Sequence, residues 1–179
     1  MKMNFNVIFK NALPYGLILG GIFVVLSLLL YIADVNIFSI WFSILNFLVV
    51  MIALPVTMVI LGTNNLRLKH SPDRKINYLE ALINCFIILF IGFFISVLYS
   101  YVFNQWIDPE YMKHNIGKFT EMMQGYNVPQ ETIDEQVAKM EGNMGIGKQI
   151  IFSVGITVVL SLILALIVRK KDKETEKMY

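Results

Sequence analysis

Residues 81–107 read ALINCFIILFIGFFISVLYSYVFNQWI, a run of 27 residues without a charged side chain. A helix needs roughly 20 apolar residues to cross about 30 Å of hydrocarbon, so this run is long enough to span a bilayer. Three further charge-free runs of 20 residues or more cover 11–33, 35–66 and 149–168. Their apolar residues are continuous rather than alternating, which indicates helices and not barrel strands. The sequence therefore predicts an all-α integral membrane protein with four transmembrane helices.

The composition agrees with this fold class. The chain is 56% hydrophobic and 16% charged, whereas soluble domains carry about a quarter charged residues. We expect a single membrane domain over residues 1–179, with spans at about 12–33, 37–62, 78–105 and 148–168. Pro55 is expected to kink the second span because it removes a backbone donor. Ser71-Pro72-Asp73 indicates a turn in the loop that follows, at 63–76.

The distribution of charge predicts the orientation. Eleven of the 15 Lys and Arg residues fall on the side that carries both termini and the loop between spans two and three. The opposite side carries four Lys and eight Asp or Glu residues. Because basic loops stay inside, we expect both termini in the cytoplasm and a multi-pass protein of the bacterial cytoplasmic (inner) membrane.

Between spans three and four, residues 108–147 predict an extracytoplasmic amphipathic helical hairpin. Asp108 can cap a helix that has Pro109 at its first position. The helical spacing of Met112, Ile116, Phe119 and Met123 gives that helix an apolar stripe, which is the candidate partner-binding face. Gly125-Tyr126-Asn127 ends it, and Pro129 begins a second helix.

Three polar residues in the spans are weak candidates for lining a polar cavity: Asn46, Asn84 and Glu80. The two asparagines, deep in the bilayer, either bond across helices or mark such a cavity. Glu80 either relays protons or completes a capping box with Asn77 at the start of span three. No charged residue lies deep in a span, which argues against an ion pump or a proton-driven transporter. We expect no enzymatic activity, metal or cofactor, since paired carboxylates, histidine pairs and cysteine clusters are absent from the sequence of the spans.

Small residues recur every fourth position in three of the spans, including Gly16 and Gly20 in the first. Such stripes let helices approach closely. They indicate either packing within one bundle or a homodimer seam, most plausibly on the first helix.

The segments INYLEALINCF before span three, IDPEYM after it and LILALIVRKKDK at the end of span four carry a resemblance. With the four spans and the acidic outer segment, the chain resembles the domain of unknown function 4199 family of small bacterial membrane proteins. The resemblance implies a cytoplasmic-membrane protein with four helices, and it transfers no catalytic or binding residue.

Two functions follow as hypotheses. The first is a non-enzymatic interaction or accessory subunit whose outer hairpin meets a membrane-protein partner. The alternative is a small transporter or flippase-like subunit with a polar intramembrane cavity. The lipid bilayer is the expected environment, and no feature indicates nucleic-acid binding.

Overall fold

A computed structural model describes residues 4–70, 76–143 and 145–169, and not the side chain of His70. The elements in these residues are helical throughout, with seven α-helices and two π-helical segments. In chain order they are α1 (Phe5–Ile32), α2 (Ile40–Asn46), a first π segment (Phe47–Ala53), α3 (Leu54–His70), α4 (Tyr78–Val102), a second π segment (Phe103–Ile107), α5 (Tyr111–Gly125), α6 (Gln130–Gly142) and α7 (Ile146–Val168).

Four helical stretches are long and apolar enough to cross a membrane, which confirms the all-α, four-span prediction. They cover Phe5–Ile32, Ile40–Lys69, Tyr78–Ile107 and Ile146–Val168. Large apolar side chains remain exposed along them, including Trp41 at 84% and Ile151 at 74%. Such surfaces suit lipid rather than water. By length and composition the chain is therefore a multi-pass membrane protein.

The first two spans are longer than the hydropathy predicts. α1 begins at Phe5 rather than near residue 12, because the side chain of Asn4 accepts a hydrogen bond from the backbone N–H of Val7 at 3.4 Å. α3 continues to His70, so the predicted loop at 63–76 is wrong as far as residue 70. No glycine or proline occurs between Gly62 and Pro72 to stop the helix. The predicted turn at 71–73 lies outside the described residues.

The connection between α1 and α2 is also longer than expected. The predicted start of the second span at 37 is wrong, since α2 begins at Ile40. The side chain of Asn36 accepts a hydrogen bond from the N–H of Phe38 at 3.0 Å, and Ser43 Oγ donates to the carbonyl of Ile37 at 2.7 Å. These local bonds hold the backbone in a turn that competes with the helix.

Pro55 is preceded by a π-helical segment in the second span, where a simple kink was expected. The first π segment directly precedes it, and the N–H of Leu54 bonds to the carbonyl of Val49. A proline ring clashes with the carbonyl four residues earlier. The wider π turns, which bond five residues back, relieve that clash and keep the helix continuous.

The most extensive contact in the bundle joins α1 to α4, which run parallel. A Cβ added to Gly20 would lie 2.7 Å from Cβ of Ile95, and one added to Gly92 would lie 2.7 Å from Cδ2 of Leu19. Gly16 and Gly20 are themselves buried. The glycine stripe of the first span is thus occupied by α4 of the same chain and offers no free seam to a second copy.

α4 is the central helix of the bundle. Buried residues make up 44% of its most apolar stretch, against 22% or less in the other three spans. α7 packs mainly on α4. Its Thr157 and Ser161 are buried, and their hydroxyls donate to carbonyls of their own helix at 2.8 and 2.6 Å. Towards the second span α7 leaves an apolar groove of about 580 Å³ that includes Met51 and Phe152.

The spans alternate in direction, so the bundle has two distinct ends. The basic end is where α1 begins, α3 ends, α4 begins and α7 ends, and it carries Lys10, Arg67, Lys69 and Arg169. The opposite end carries α5 and α6 and is called the α5–α6 end. The connection between these two helices includes Asn127, whose φ of 57° is uncommon for a residue with a side chain.

Alanine at Gly20 is expected to weaken the α1–α4 contact. Its Cβ would overlap Ile95, and overpacking of this kind costs about 1–3 kcal/mol. The neighbouring Gly21→Ala is the matched control, since a Cβ there meets nothing within 4 Å. The free energy of unfolding in mixed micelles should fall for Gly20→Ala and hold or rise for Gly21→Ala. Equal effects would contradict the close approach.

Candidate functional site

Polar side chains between α1, α3 and α4 form one buried network. Asn11 Nδ2 donates to Asn84 Oδ1 at 3.1 Å and to the carbonyl of Gly62 at 2.8 Å. Asn65 Nδ2 donates to Asn11 Oδ1 at 2.8 Å, and Asn84 Nδ2 donates to Thr63 Oγ1 at 3.2 Å. Amides in this apolar setting therefore find their partners on neighbouring helices.

Asn84 lies fully buried at the centre of this network, with both its oxygen and its nitrogen engaged. The sequence left two alternatives for Asn84, bonding across helices or lining a polar cavity. In the structure it bonds across helices, to Asn11 of α1 and Thr63 of α3. The network connects three of the four spans near the basic end.

Glu80 is 8% exposed and belongs to the capping box at the start of α4. Its Oε2 accepts from the N–H of Asn77 at 3.2 Å, while Asn77 Oδ1 accepts from the N–H of Glu80 at 2.8 Å. The two bonds satisfy donors that a helix start leaves free. Glu80 is thus engaged by its own helix.

Asn46 lies towards the other end of the bundle, beside a cavity of about 280 Å³. We call this the first cavity. It lies between α1, the second span, α4 and α5. The polar residues that line it are uncharged: Ser27, Tyr31, Asn46, Ser96, Tyr99, Ser100, Asn104 and Tyr111. The structure therefore does not bring Asn46, Asn84 and Glu80 together.

A second cavity of about 320 Å³ adjoins the first. Ser100, Asn104 and Met112 line both cavities, and Lys113 and Glu141 line the second alone. Asn104 Nδ2 donates to the carbonyl of Ser100 at 2.7 Å and to its Oγ at 3.3 Å. Asn104 Oδ1 is buried and has no hydrogen-bond partner within the described ranges. A buried acceptor without a partner costs about 1–3 kcal/mol. A hydrogen-bond donor that reached Asn104 Oδ1 would recover part of this cost.

Asp108 joins three elements at the edge of the first cavity. Its Oδ1 accepts from the N–H groups of Glu110 and Tyr111 at 3.1 and 3.0 Å, so its side chain bonds to the start of α5. The predicted helix start at Pro109 is wrong, because α5 begins at Tyr111 with Glu110 at the N-cap position and Pro109 in the preceding turn. Its Oδ2 accepts from the hydroxyl of Tyr31 at the end of α1, at 3.1 Å. The rings of Tyr31, Phe103 and Tyr111 meet edge to face, with centroids 4.9–5.5 Å apart.

An exposed cluster of charges ties α5 to the connection after α1. Lys118 Nζ lies 2.6 Å from Asp34 Oδ1, and His114 Nε2 lies 3.6 Å from the same oxygen. The hydrogen bond and positive charge of Lys118, with a smaller contribution from His114, lower the pKa of Asp34. Asp34 is therefore held ionised and keeps α5 close to the membrane-spanning helices.

The predicted partner-binding face of α5 lies largely against the protein itself. Phe119 is 8% exposed and packs on Phe38, with ring centroids 5.2 Å apart. Met112 lines both cavities and Ile116 lines the second, while Met123 is half-buried. This stripe therefore offers little surface to another protein.

Sequence reasoning missed Asn11, Thr63 and Asn104 as polar positions of interest. Asn11 and Thr63 sit at the edges of apolar runs, where polar residues are ordinary. Asn104 could have been found from the sequence, because it follows Ser100 by four residues and so lies on the same helix face as the small-residue stripe.

In the part of the chain that the structure describes, no three His, Cys, Asp or Glu side chains are grouped closely enough to hold a metal ion.

Comparison with known proteins gives one match. A family model described as "Protein of unknown function (DUF4199)" matches residues 14–170, which is most of the chain. No curated protein and no solved structure matches it significantly.

Replacing Asn84 by leucine is expected to destabilise the bundle by about 1 kcal/mol or more, because Asn11 and Thr63 would each lose a buried partner. Asn46→Leu is the matched control, since Asn46 is half-buried and its change should stay within about 0.5 kcal/mol. Unfolding in mixed micelles measures both. A loss no larger for Asn84→Leu than for Asn46→Leu would rule out a stabilising network.

Proposed function

Since this chain belongs to the DUF4199 family, whose description assigns no activity, we propose a function from its own geometry. The protein is a non-enzymatic binding protein of the bacterial cytoplasmic membrane. It holds a small, uncharged polar solute in the two cavities that meet at Asn104. The single observation that carries this proposal is the unpaired, buried Oδ1 of Asn104 beside two polar-lined cavities.

The chemistry of the first cavity favours a neutral solute with hydroxyl or amide groups. Serine and tyrosine hydroxyls and the amides of Asn46 and Asn104 supply both donors and acceptors. The aromatic rings of Tyr31, Tyr99 and Tyr111 supply apolar faces. Volumes of about 280 and 320 Å³ are at the lower end of the usual range for small-molecule sites.

The lining supports binding rather than catalysis. Lys113 and Glu141 are the charged side chains that line the second cavity, and the first is lined by none. Lys113 pairs with Glu110 at 2.9 Å, and the hydroxyl of Tyr31 donates to Asp108 at 3.1 Å. Within the described part of the chain, the amides and serines of the lining have no neighbouring base, so the lining favours binding over acid–base or nucleophilic chemistry.

Binding is also better supported than passage across the membrane. Between the first cavity and the basic end lie the closed network of Asn11 and Asn84 and the buried side chains of Leu19, Ile88 and Leu89. A carrier would have to open this packing, and the small-transporter alternative thus needs a second conformation.

The charge pattern supports an extracytoplasmic position for α5, α6 and the cavities. Among the described residues, Lys10, Arg67, Lys69 and Arg169 are all at the basic end, whereas α5 and α6 carry most of the acids. Under the positive-inside rule the basic end is cytoplasmic. The solute would then arrive from outside the cell, over a helical hairpin formed by α5 and α6.

A solute that fits is expected to raise the thermal stability of the purified protein in detergent, by mass action on the folded state. The probes are uncharged polyols, monosaccharides and primary amides. Asn104→Leu should abolish the stabilisation because it removes the acceptor Oδ1 while keeping nearly the same side-chain shape. Gln130→Leu, which removes an exposed amide outside both cavities, should preserve it. The proposal fails if no probe stabilises the protein or if Asn104→Leu responds like the wild type.

A second candidate is the interaction or accessory subunit, now assigned to α6 instead of the apolar stripe of α5. α6 packs mainly on α5, and its Ile133 is buried, whereas Glu131 and Asp134 are exposed. A helix held by one neighbour leaves most of its circumference open to a partner protein.

Single-cysteine labelling tests the position of α6 and its partner together. The native Cys85 is fully buried, so it gives little background. Glu131→Cys is expected to react with a membrane-impermeant maleimide in whole cells, and Lys69→Cys only after permeabilisation. A bifunctional reagent at Glu131→Cys should then yield a crosslinked species with a discrete second protein. Absence of labelling from outside contradicts the orientation, and labelling without a crosslink contradicts the partner.

A further inference from the structure

Arg67 is the most unusual charged residue in the described structure. It lies near the end of α3 at the basic end, and only 7% of it is exposed. Its Nη1 donates to Asn64 Oδ1 at 3.0 Å. Its Nε and Nη2 are buried and have no hydrogen-bond acceptor in the described residues. A guanidinium does not lose its charge at physiological pH, so burial leaves a cation with two unused donors.

The two unused donors are adjacent on the guanidinium. Nε and Nη2 form one edge of the planar fork, and that edge matches two oxygens of a carboxylate or phosphate in parallel hydrogen bonds. Asn64 engages Nη1 only. The bond to Asn64 therefore holds the guanidinium in place while leaving its two-donor edge without an acceptor.

Among the residues that the structure describes, the carboxylate at the basic end bonds to a partner other than Arg67. Glu80 is the one carboxylate that the described residues place at the basic end, and its Oε2 accepts from the N–H of Asn77. No ion pair within 4.0 Å joins Arg67 to a described carboxylate. Within residues 4–70, 76–143 and 145–169, an acceptor from outside the chain would thus meet no carboxylate paired with Arg67.

The surroundings indicate where that acceptor comes from. Lys69 is exposed, and the guanidinium of Arg169 lies over the ring of Tyr78 at 5.8 Å, so cations surround this end of the bundle. By length and composition the second span extends to Lys69, two residues beyond Arg67, so we expect Arg67 at the depth of lipid head groups. The neighbouring Leu68 and Leu79 expose 64% and 52% of their surface, which suits contact with acyl chains.

We propose that Arg67 binds a phosphate group at the basic end of the bundle, presented by an anionic phospholipid. The phosphate oxygens accept from Nε and Nη2, and the acyl chains lie along the exposed leucines of α3 and α4. The site is independent of the cavities at Asn104, which lie at the opposite end. Free inorganic phosphate offers the same oxygens, and the experiment separates the two sources.

The direct test uses the wild-type protein labelled with ¹⁵N-arginine in dodecyl maltoside, a detergent without phosphate. The sequence contains three arginines, Arg67, Arg74 and Arg169, and loss of one signal in Arg67→Lys assigns the Nε–H of Arg67. Titration with dihexanoyl-phosphatidylglycerol should shift this signal to saturation. Dihexanoyl-glycerol has the same chains without phosphate and should not shift it. Saturation by inorganic phosphate at the same concentrations would support the phosphate site and assign it to the free ion.

Variants measure the strength of the contact. Arg67→Lys keeps the charge but lacks the planar fork, and it should weaken phosphatidylglycerol binding by at least about tenfold in Kd. Lys69→Gln removes a nearby exposed charge and should change Kd by less than about fivefold. If Arg67→Lys does not fold, assignment by Arg74→Lys and Arg169→Lys still lets the wild-type titration decide. The proposal is overturned if no phosphate source shifts the Arg67 signal, or if dihexanoyl-glycerol shifts it equally.

Discussion

The close parallel approach of α1 to α4 is the contact on which the rest of the molecule depends. Gly16 and Gly20 on one helix and Gly92 on the other remove the side chains that would hold the two backbones apart. Lipid supplies no hydrophobic force between helices, so this proximity supplies the van der Waals contact that replaces it. Because the helices run side by side, their two ends are fixed as well: Asn11 meets Asn84 at one, and Tyr31 meets Phe103 and Asp108 at the other.

Much of this fold is predictable from the sequence, and the reason is physical. The membrane requires long, charge-free helices, and these show directly as runs without charge. The capping box at Asn77 and Glu80 is equally visible because both partners lie within one turn. The first π segment and the turn at Asn36 were missed, since each depends on a local competition for one hydrogen bond that composition does not reveal. The polar sites were predicted only in part. Whether Asn84 meets Asn11 or a cavity is decided by how the helices pack.

The two ends of the bundle differ in the kind of buried group that lacks a hydrogen-bond partner: an acceptor at one end and donors at the other. Within the described residues, the buried side-chain atoms without partners belong to Asn104 and Arg67 alone. Asn104 presents an acceptor near the cavities, and Arg67 presents two donors at the basic end. Close to Arg67 at the basic end, the amides of Asn11 and Asn84 bond to neighbouring helices. Most buried polar groups of the bundle are therefore paired, and the few that are not lie towards its two ends.

The pairing of the first helix with the third also constrains how the protein is made. Asn11 and Asn84 are 73 residues apart in the chain, and α1 contacts α4 far more than it contacts its sequence neighbour α2. When the ribosome has delivered only the first two spans to the bilayer, Asn11 lacks Asn84 and the glycine stripe of α1 lacks its partner. The contact between α1 and α4 can therefore form only after the third span has been inserted. Biogenesis of this small protein thus has a long-range step that its simple order of four helices conceals.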